Sequence, residues 1–238
     1  MFQSQIPKTK PFDGRRWVIP DIHGCLDTFL SLLEKVKFSK EDYLFLLGDY
    51  IDRGKNSAGV LDKIIELQSS GFQIFAIRGN HEQMMLDEYH QALVNNDLGA
   101  FLDYSISNKT QSMLNSDNQL IEKYKQWMID LPFFIELDVC YLVHGGFNFH
   151  INNPLEDFDS MLWIRRMTPN LEWLKGKFIV HGHTPTYIST IKESVNQRKT
   201  VINLDNGCVF KEEMDYEFGN LLCLNIDTFE LFIQQNID

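Results

Sequence analysis

Short apolar runs, each ended by a polar, glycine-containing cluster, organise the first third of the chain. Trp17-Val18-Ile19 predicts a strand that stops at Pro20 and is followed at once by Asp21-Ile22-His23-Gly24. From Asp27 to Val36 the apolar positions Phe29, Leu32, Leu33 and Val36 repeat at helical spacing, with Asp27 as the expected N-cap. The unit then recurs. Residues 43–47, Tyr-Leu-Phe-Leu-Leu, predict a strand closed by Gly48-Asp49, and a helix follows at about 57–68, carrying Val60, Leu61, Ile64, Ile65 and Leu67. Residues 73–77 predict a third strand, ended by Arg78-Gly79-Asn80-His81-Glu82. Fully apolar strands in series with helices indicate a parallel sheet covered on its faces. Sheets of this kind build their sites just beyond the C-terminal ends of their strands, where all three polar clusters fall.

Residues 83–132 are polar and helical in pattern, with Leu120, Ile121, Tyr124, Trp127, Met128 and Leu131 on one face. They predict a helical insertion packed beside the sheet. The second half is richer in strands, expected at 139–143, 178–181, 200–204, 221–226 and 229–233, the last two forming an antiparallel hairpin across Asp227-Thr228. Residues 144–176 read as irregular with short helical pieces. His144-Gly145-Gly146 and His181-Gly182-His183-Thr184-Pro185 again follow strand ends. Residues 1–16, with Pro7 and Pro11, read as a leader into the domain. The expected fold class is α/β: two stacked mixed sheets flanked by helices, as one domain over 1–238 with a mainly helical insertion at about 83–132.

The length of 238 residues is ample for a substantial core. A net charge of −11, from 22 basic and 33 acidic side chains, repels polyanions at long range. No basic run, Arg165-Arg166 among them, exceeds two residues, far short of the basic stripe of a double-stranded nucleic-acid binder. Small phosphates and phosphopeptides stay within the allowed partners; double-stranded nucleic acid and membrane do not. The polar N-terminus shows no signal peptide, and no apolar run reaches membrane-spanning length. Cys25, Cys140, Cys208 and Cys223 form no CxxC pair, so free thiols in a reducing, cytoplasmic setting are expected. The sequence leaves the oligomeric state open.

The strand-end clusters together hold Asp21, His23, Asp49, Asp52, Arg53, Asn80, His81, His144, His181 and His183. Mixed nitrogen and oxygen donors suit divalent transition ions, with Mn first and Fe, Co, Ni and Zn as alternatives. A pair of ions needs a ligand that touches both, and Asp49 is expected to be that ligand because its strand should lie centrally. Two metals suit phosphate-ester hydrolysis, since they neutralise the ester oxygens and make hydroxide available near neutral pH. Cys25 lacks a CxxxxxR phosphate cradle, which disfavours a covalent cysteine mechanism.

Five of these stretches, in order, are Pro20-Asp21-Ile22-His23-Gly24, Gly48-Asp49-Tyr50-Ile51-Asp52-Arg53-Gly54, Gly79-Asn80-His81-Glu82, His144-Gly145-Gly146 and Gly182-His183-Thr184. The set resembles the phosphoprotein phosphatase branch, bacterial type, of the calcineurin-like metallophosphoesterases, over about residues 17–210. The resemblance implies the metallophosphoesterase β-sandwich. It implies a first metal on Asp21 and His23, a bridging Asp49, and a second metal on Asn80, His144 and His183. It makes His81 the general acid and Asp52 the carboxylate behind it, and puts Arg53 and the Arg165 of Trp163-Ile164-Arg165 on the substrate phosphate, with Asn80 also reaching it. Guanidinium forks match phosphoryl oxygens. The implied reaction is hydrolysis of phosphate monoesters, including phosphoserine and phosphothreonine in proteins, by direct attack of metal-activated water. Dinucleoside polyphosphate hydrolysis is the nearest alternative, since its specificity would sit in the variable 83–132 and 147–176 segments.

One position departs from the family pattern: Pro20 stands where glycine is usual. Proline fixes φ near −65°, so a turn needing positive φ there would distort the site. An inactive binding or scaffold protein has Pro20 as its only support. Plainer readings attach to the neighbours. His90 and His150 match no motif and are expected to be solvated. His181 would share a face with His183 and support it, or simply pack. Glu82 would brace the His81 loop or act as an ordinary acid at a helix start. Asp205-Asn206-Gly207 reads as a turn, Arg166 as a surface charge, and Trp163 as a brace for Arg165 or a core residue.

Overall fold

The computed structural model describes residues 9–10, 13–211 and 217–238; the expected leader lies largely outside them. A first sheet has the order β3-β2-β1-β8-β9. Its strands are β1 (Arg16–Ile19), β2 (Tyr43–Leu46), β3 (Gln73–Ala76), β8 (Asn220–Asn225) and β9 (Leu231–Gln235). β1, β2 and β3 run parallel, with Val18 opposite Phe45 and Phe45 opposite Phe75, while β8 and β9 are antiparallel additions. A second sheet has the order β4-β5-β6-β7, from β4 (Phe134–Glu136), β5 (Cys140–Val143), β6 (Phe178–His181) and β7 (Val201–Asn203). In it β4 is antiparallel to β5, and β5, β6 and β7 are parallel.

Alternation along the strands explains their apolar runs. Val18, Phe45, Leu47 and Ile77 meet Leu142, Val180, Ile202 and Leu204 between the two sheets. The intervening Trp17, Ile19, Leu44 and Leu46 face outward into a helical layer. That layer holds α1 (Leu26–Lys35), α2 (Ser57–Ser69), α3 (Asn80–Asn95), α4 (Leu98–Ser107) and α5 (Glu122–Asp130). Both faces of β1 and β2 therefore have apolar layers to bury against, and side chains of this size contribute about 1.5–3 kcal/mol each when fully buried. Short helices α6 (Phe158–Trp163) and α7 (Leu171–Leu174) cover the outer face of the second sheet with Phe147, Met161 and Leu174. The helix α8 (Ile188–Asn196) buries Ile191 and Val195. The α/β class and the two stacked, mixed, helix-flanked sheets are as expected. No helix of the described residues is long and apolar enough to cross a membrane.

Several local expectations are corrected. Asp27 is not the N-cap of α1, which starts at Leu26 after a Cys25 that makes no side-chain cap. The Asp238 carboxylate caps it instead, accepting from the Asp27 and Thr28 N–H groups at 3.1 and 3.0 Å. The strand β4 was not anticipated, and the last strand starts at Leu231, two residues later than the pattern suggested. The middle strand of the first sheet is β1, not the β2 that leads into Asp49. Finally, the helical stretch begins at Asn80, so Asn80-His81-Glu82 is itself the first turn of α3.

Candidate metal and phosphate site

Three of the polar clusters leave their strands through turns tight enough to force unusual backbone. His23, Asp49, Asp52, Arg53 and His183 all have positive φ, at 47°, 52°, 69°, 67° and 69°. A non-glycine residue held there costs on the order of 1–3 kcal/mol, and such strain concentrates at functional sites. Pro20 is not among the positive-φ residues; the turn after β1 takes its left-handed steps at His23 and Gly24. The proline is therefore compatible with the loop. β6 ends at His181, and His183 lies beyond it in a left-handed step, so strand alternation does not relate the two rings. His181 packs, buried, with Nδ1 3.1 Å from the Gly182 carbonyl.

Close approach explains two motif glycines. A Cβ on Gly79 would lie 2.2 Å from Asp49 Oδ1, and one on Gly182 would lie 2.1 Å from Asp21 Oδ1. The two carboxylates pack directly against bare backbone, which a side chain at either position would displace.

The structure gathers two groups of donors that share one residue. His23, Asp49 and His81 form the first, and Asp49, His144 and His183 the second, with the ligand atoms of each group all within 4.8 Å of one another. Asp49 Oδ2 lies 3.6 Å from His23 Nε2, 3.9 Å from His81 Nε2 and 3.3 Å from His144 Nε2. Asp49 Oδ1 accepts the His81 backbone N–H at the start of α3, where the helix dipole favours negative charge. Burial alone would raise the Asp49 carboxyl, but the imidazoles of His144, His81 and His23 hold it well below the usual carboxylate range. Asp21 belongs to neither group. Both its oxygens accept the His183 backbone N–H, at 3.0 and 3.1 Å.

The arrangement of protons fits cations. His23 Nδ1 donates to the Ile51 carbonyl at 2.7 Å, and His144 Nδ1 to the Leu47 carbonyl at 2.8 Å. Each neutral ring then turns an Nε2 lone pair inward, the usual way a carbonyl fixes the tautomer of a ligand histidine. His144 Nε2 and His183 Nδ1 both point at Asn80 Oδ1, at 2.8 and 2.9 Å. With the His144 Nδ1 proton on the Leu47 carbonyl, a neutral His144 turns its Nε2 lone pair on the Asn80 oxygen, which is repulsive, and a divalent ion held by both removes that repulsion. Without an ion a proton takes this place: although burial opposes it, Asp49 raises the His144 imidazole to about 10.

Beside these groups His81 Nδ1 bonds Asp52 Oδ2 at 2.5 Å, leaving His81 Nε2 toward the cavity with Arg53 3.4 Å away. Burial would lower the His81 imidazole, but Asp49 and Asp52 raise it above its ordinary value. The cavity measures about 360 Å³ and is lined by His23, Asp49, Asn80, His81, Arg53, Arg165, His183 and Asp205, among others. Trp163 also lines it, 40% exposed and edge-on to His183, so the core reading of that residue is overturned. Arg166, His90 and His150 are exposed.

Glu82 and Asp205 do more here than their local sequence signals. Glu82 is fully buried and accepts from the backbone N–H groups of Asp49, Tyr50 and Gly79, at 2.9, 2.8 and 2.9 Å. It clamps the Asp49 turn to the start of α3. Glu82→Ala leaves three buried N–H groups without an acceptor, each worth about 1–3 kcal/mol, so a drop in stability of at least about 3 kcal/mol is expected. Urea unfolding of the metal-free protein checks it; an unchanged midpoint contradicts the clamp. Asp205 does sit in a turn, accepting from Gly207 N–H at 2.7 Å, but it also lines the cavity, and burial pushes its carboxyl up to about 6. Only its position after a strand could have marked it.

Comparison with known proteins agrees with this geometry. A sequence model described as calcineurin-like phosphoesterase matches residues 14–220. The chain is 43% identical over 72 residues to serine/threonine-protein phosphatase 1 of Salmonella typhimurium, covering 30% of this chain and 31% of that protein. It is 41% identical over 71 residues to a symmetrical bis(5'-nucleosyl)-tetraphosphatase of Wigglesworthia glossinidia brevipalpis, covering 29% of this chain and 25% of the relative. The matches thus span under a third of these two relatives. A crystal structure of a candidate diadenosine tetraphosphatase superposes with a TM-score of 0.65 at 18% identity, over 96% of this chain and 95% of that one, which shows a shared fold.

Proposed function

The chain belongs to the calcineurin-like phosphoesterase family, and from that premise we propose that it is a dinuclear metal-dependent phosphatase acting on phosphate monoesters, with phosphoserine and phosphothreonine in proteins among its substrates. The observation that carries this reading is Asp49: one buried carboxylate common to two donor groups. His23, Asp49 and Asp21 would hold the first ion, and Asp49, Asn80, His144 and His183 the second; Mn heads the candidates, ahead of Fe, Co, Ni and Zn, on the mixed donor set. Asp21 would turn one oxygen from the His183 N–H to join the first group. Bound there, two divalent ions would supply hydroxide near neutral pH and neutralise the ester oxygens.

The remaining roles belong to side chains. His81, its Nδ1 held by Asp52, gives its Nε2 proton to the departing alkoxide oxygen. Arg53, Arg165 and Asn80 all line the cavity; the two guanidinium groups grip the phosphoryl oxygens, with the Asn80 amide also reaching them. Arg165→Ala is expected to raise KM for a monoester about tenfold with a smaller change in kcat, because it removes a charge-assisted fork. Steady-state kinetics at fixed metal checks this; an unchanged KM removes Arg165 from the clamp.

Mn-loaded protein should hydrolyse 4-nitrophenyl phosphate and a phosphoserine peptide. No turnover on either with Mn, Fe, Co, Ni or Zn supplied contradicts the reading, and bound metal without turnover favours a scaffold. Similarity to the tetraphosphatase of Wigglesworthia supports a second reading, dinucleoside polyphosphate hydrolysis. Diadenosine tetraphosphate against the phosphopeptide at matched enzyme decides between them. All four cysteines are buried free thiols, which supports a cytoplasmic setting.

A further inference from the structure

Cations that are scattered along the sequence meet in the fold. Arg53, Lys55, Lys109 and Lys211 surround one cavity of about 350 Å³. It adjoins the candidate site, since Arg53 and Phe210 line both, the guanidinium carbon lying 5.2 Å above the Phe210 ring. Its walls are fixed by backbone. The Arg53 N–H donates to the Asn108 carbonyl at 3.1 Å, which ties the loop carrying Lys109 to the turn carrying Arg53 and Lys55. Lys211 Nζ donates to the main-chain oxygens of Asn236 and Asp238, at 3.3 and 3.2 Å.

Among the described lining residues one carboxylate, Asp238, faces four cations. None of the four cations forms an ion pair with a described side chain. The Asp238 carboxylate keeps its charge, but its oxygens are turned to the start of α1, accepting from the Asp27 and Thr28 N–H groups and the Thr28 hydroxyl. The chain as a whole carries −11. Four cations against one carboxylate leave the cavity net positive, so it attracts anions locally against the field of the rest of the surface. An anion with more than one negative charge suits them best.

We infer that this cavity is a subsite for a second phosphoryl group of a small-molecule substrate, with Lys55 and Lys109 as specificity-determining residues and Arg53 reaching the phosphates of both cavities. The inference rests on the phosphatase reading for the position of the ester that is cleaved. It makes the preferred substrate a molecule with two phosphoryl groups, one hydrolysed beside His81 and one held among the lysines.

The test compares Mn-loaded wild type with Lys55→Gln/Lys109→Gln. Both lysines are exposed, so the variant should fold. Wild type should turn over fructose 1,6-bisphosphate with kcat/KM at least about tenfold above fructose 6-phosphate, and the variant should lose most of that ratio, through KM. Hydrolysis of 4-nitrophenyl phosphate, too short to reach the lysines, should change less than about twofold. In a second arm, calorimetric titration of inorganic pyrophosphate into metal-free protein should show at least about fivefold weaker binding by the variant. No preference for the bisphosphate in wild type, an equal loss on all substrates, or unchanged pyrophosphate binding would overturn the subsite. A gain for a phosphopeptide with acidic neighbours that exceeds the gain for the bisphosphate would also overturn it, in favour of a protein substrate. If wild type hydrolyses no ester at all, the phosphatase reading fails, and the titration still decides the subsite.

Discussion

Asp49→Asn should lower kcat/KM for a phosphate monoester by at least about 10³-fold, or about 4 kcal/mol of transition-state stabilisation. The substitution is nearly isosteric and leaves Oδ1 free to keep accepting the His81 N–H. What it removes is charge at the one atom, Oδ2, that faces His23, His81 and His144 together. An amide N–H₂ there points protons at lone pairs that are already directed inward by the Ile51 and Leu47 carbonyls. Metal content, measured by plasma mass spectrometry after dialysis against dilute Mn, should fall below one ion per chain. Retention of both metals and of turnover within tenfold would remove Asp49 from the centre of the account.

His81→Asn separates proton donation from metal binding. Turnover of an alkyl phosphate should fall about 10²–10⁴-fold, the usual contribution of a positioned general acid. The loss should be smaller for 4-nitrophenyl phosphate, whose leaving oxygen needs no proton. Asparagine is the informative choice because its amide can still donate to Asp52, whose carboxylate is fully buried. Metal content should stay at the wild-type value. His81 lies within the first donor group, so loss of metal in this variant would make it a ligand and leave the acid unassigned. An equal fall for both leaving groups would contradict proton donation as its role.

Much of this was legible before any coordinates, for a physical reason. Strands buried on both faces must be apolar throughout, so β1, β2 and β3 stood out as uninterrupted runs, and the polar clusters that ended them marked the site edge of the sheet. His23, Asp49, Asn80, His81, His144 and His183 do converge. Less was legible where a residue acts on something distant in sequence. Glu82 binds N–H groups more than 30 residues away, at Asp49 and Tyr50, and a helix-start acid looks the same locally whether it does so or not. Asp238 caps a helix that begins 212 residues earlier, at Leu26, while the nearby Asp27 was the local candidate. The edge strand β4 is only Phe134–Glu136, too short to show alternation. The left-handed turns at His23, Asp49 and His183 fall on residues that give no conformational signal, since only glycine advertises positive φ. The basic cavity was hidden because Arg53, Lys55, Lys109 and Lys211 come from three separate loops, and the two-residue basic run Arg165-Arg166 is not part of it.

The central claim is that two cations share Asp49, and anomalous diffraction from crystals grown with Mn tests it most directly. Two anomalous peaks are predicted, one among Asp49, His23 and Asp21 and the other among Asp49, Asn80, His144 and His183, with a single Asp49 carboxylate oxygen in contact with both. A single peak, or two that do not share Asp49, would contradict it.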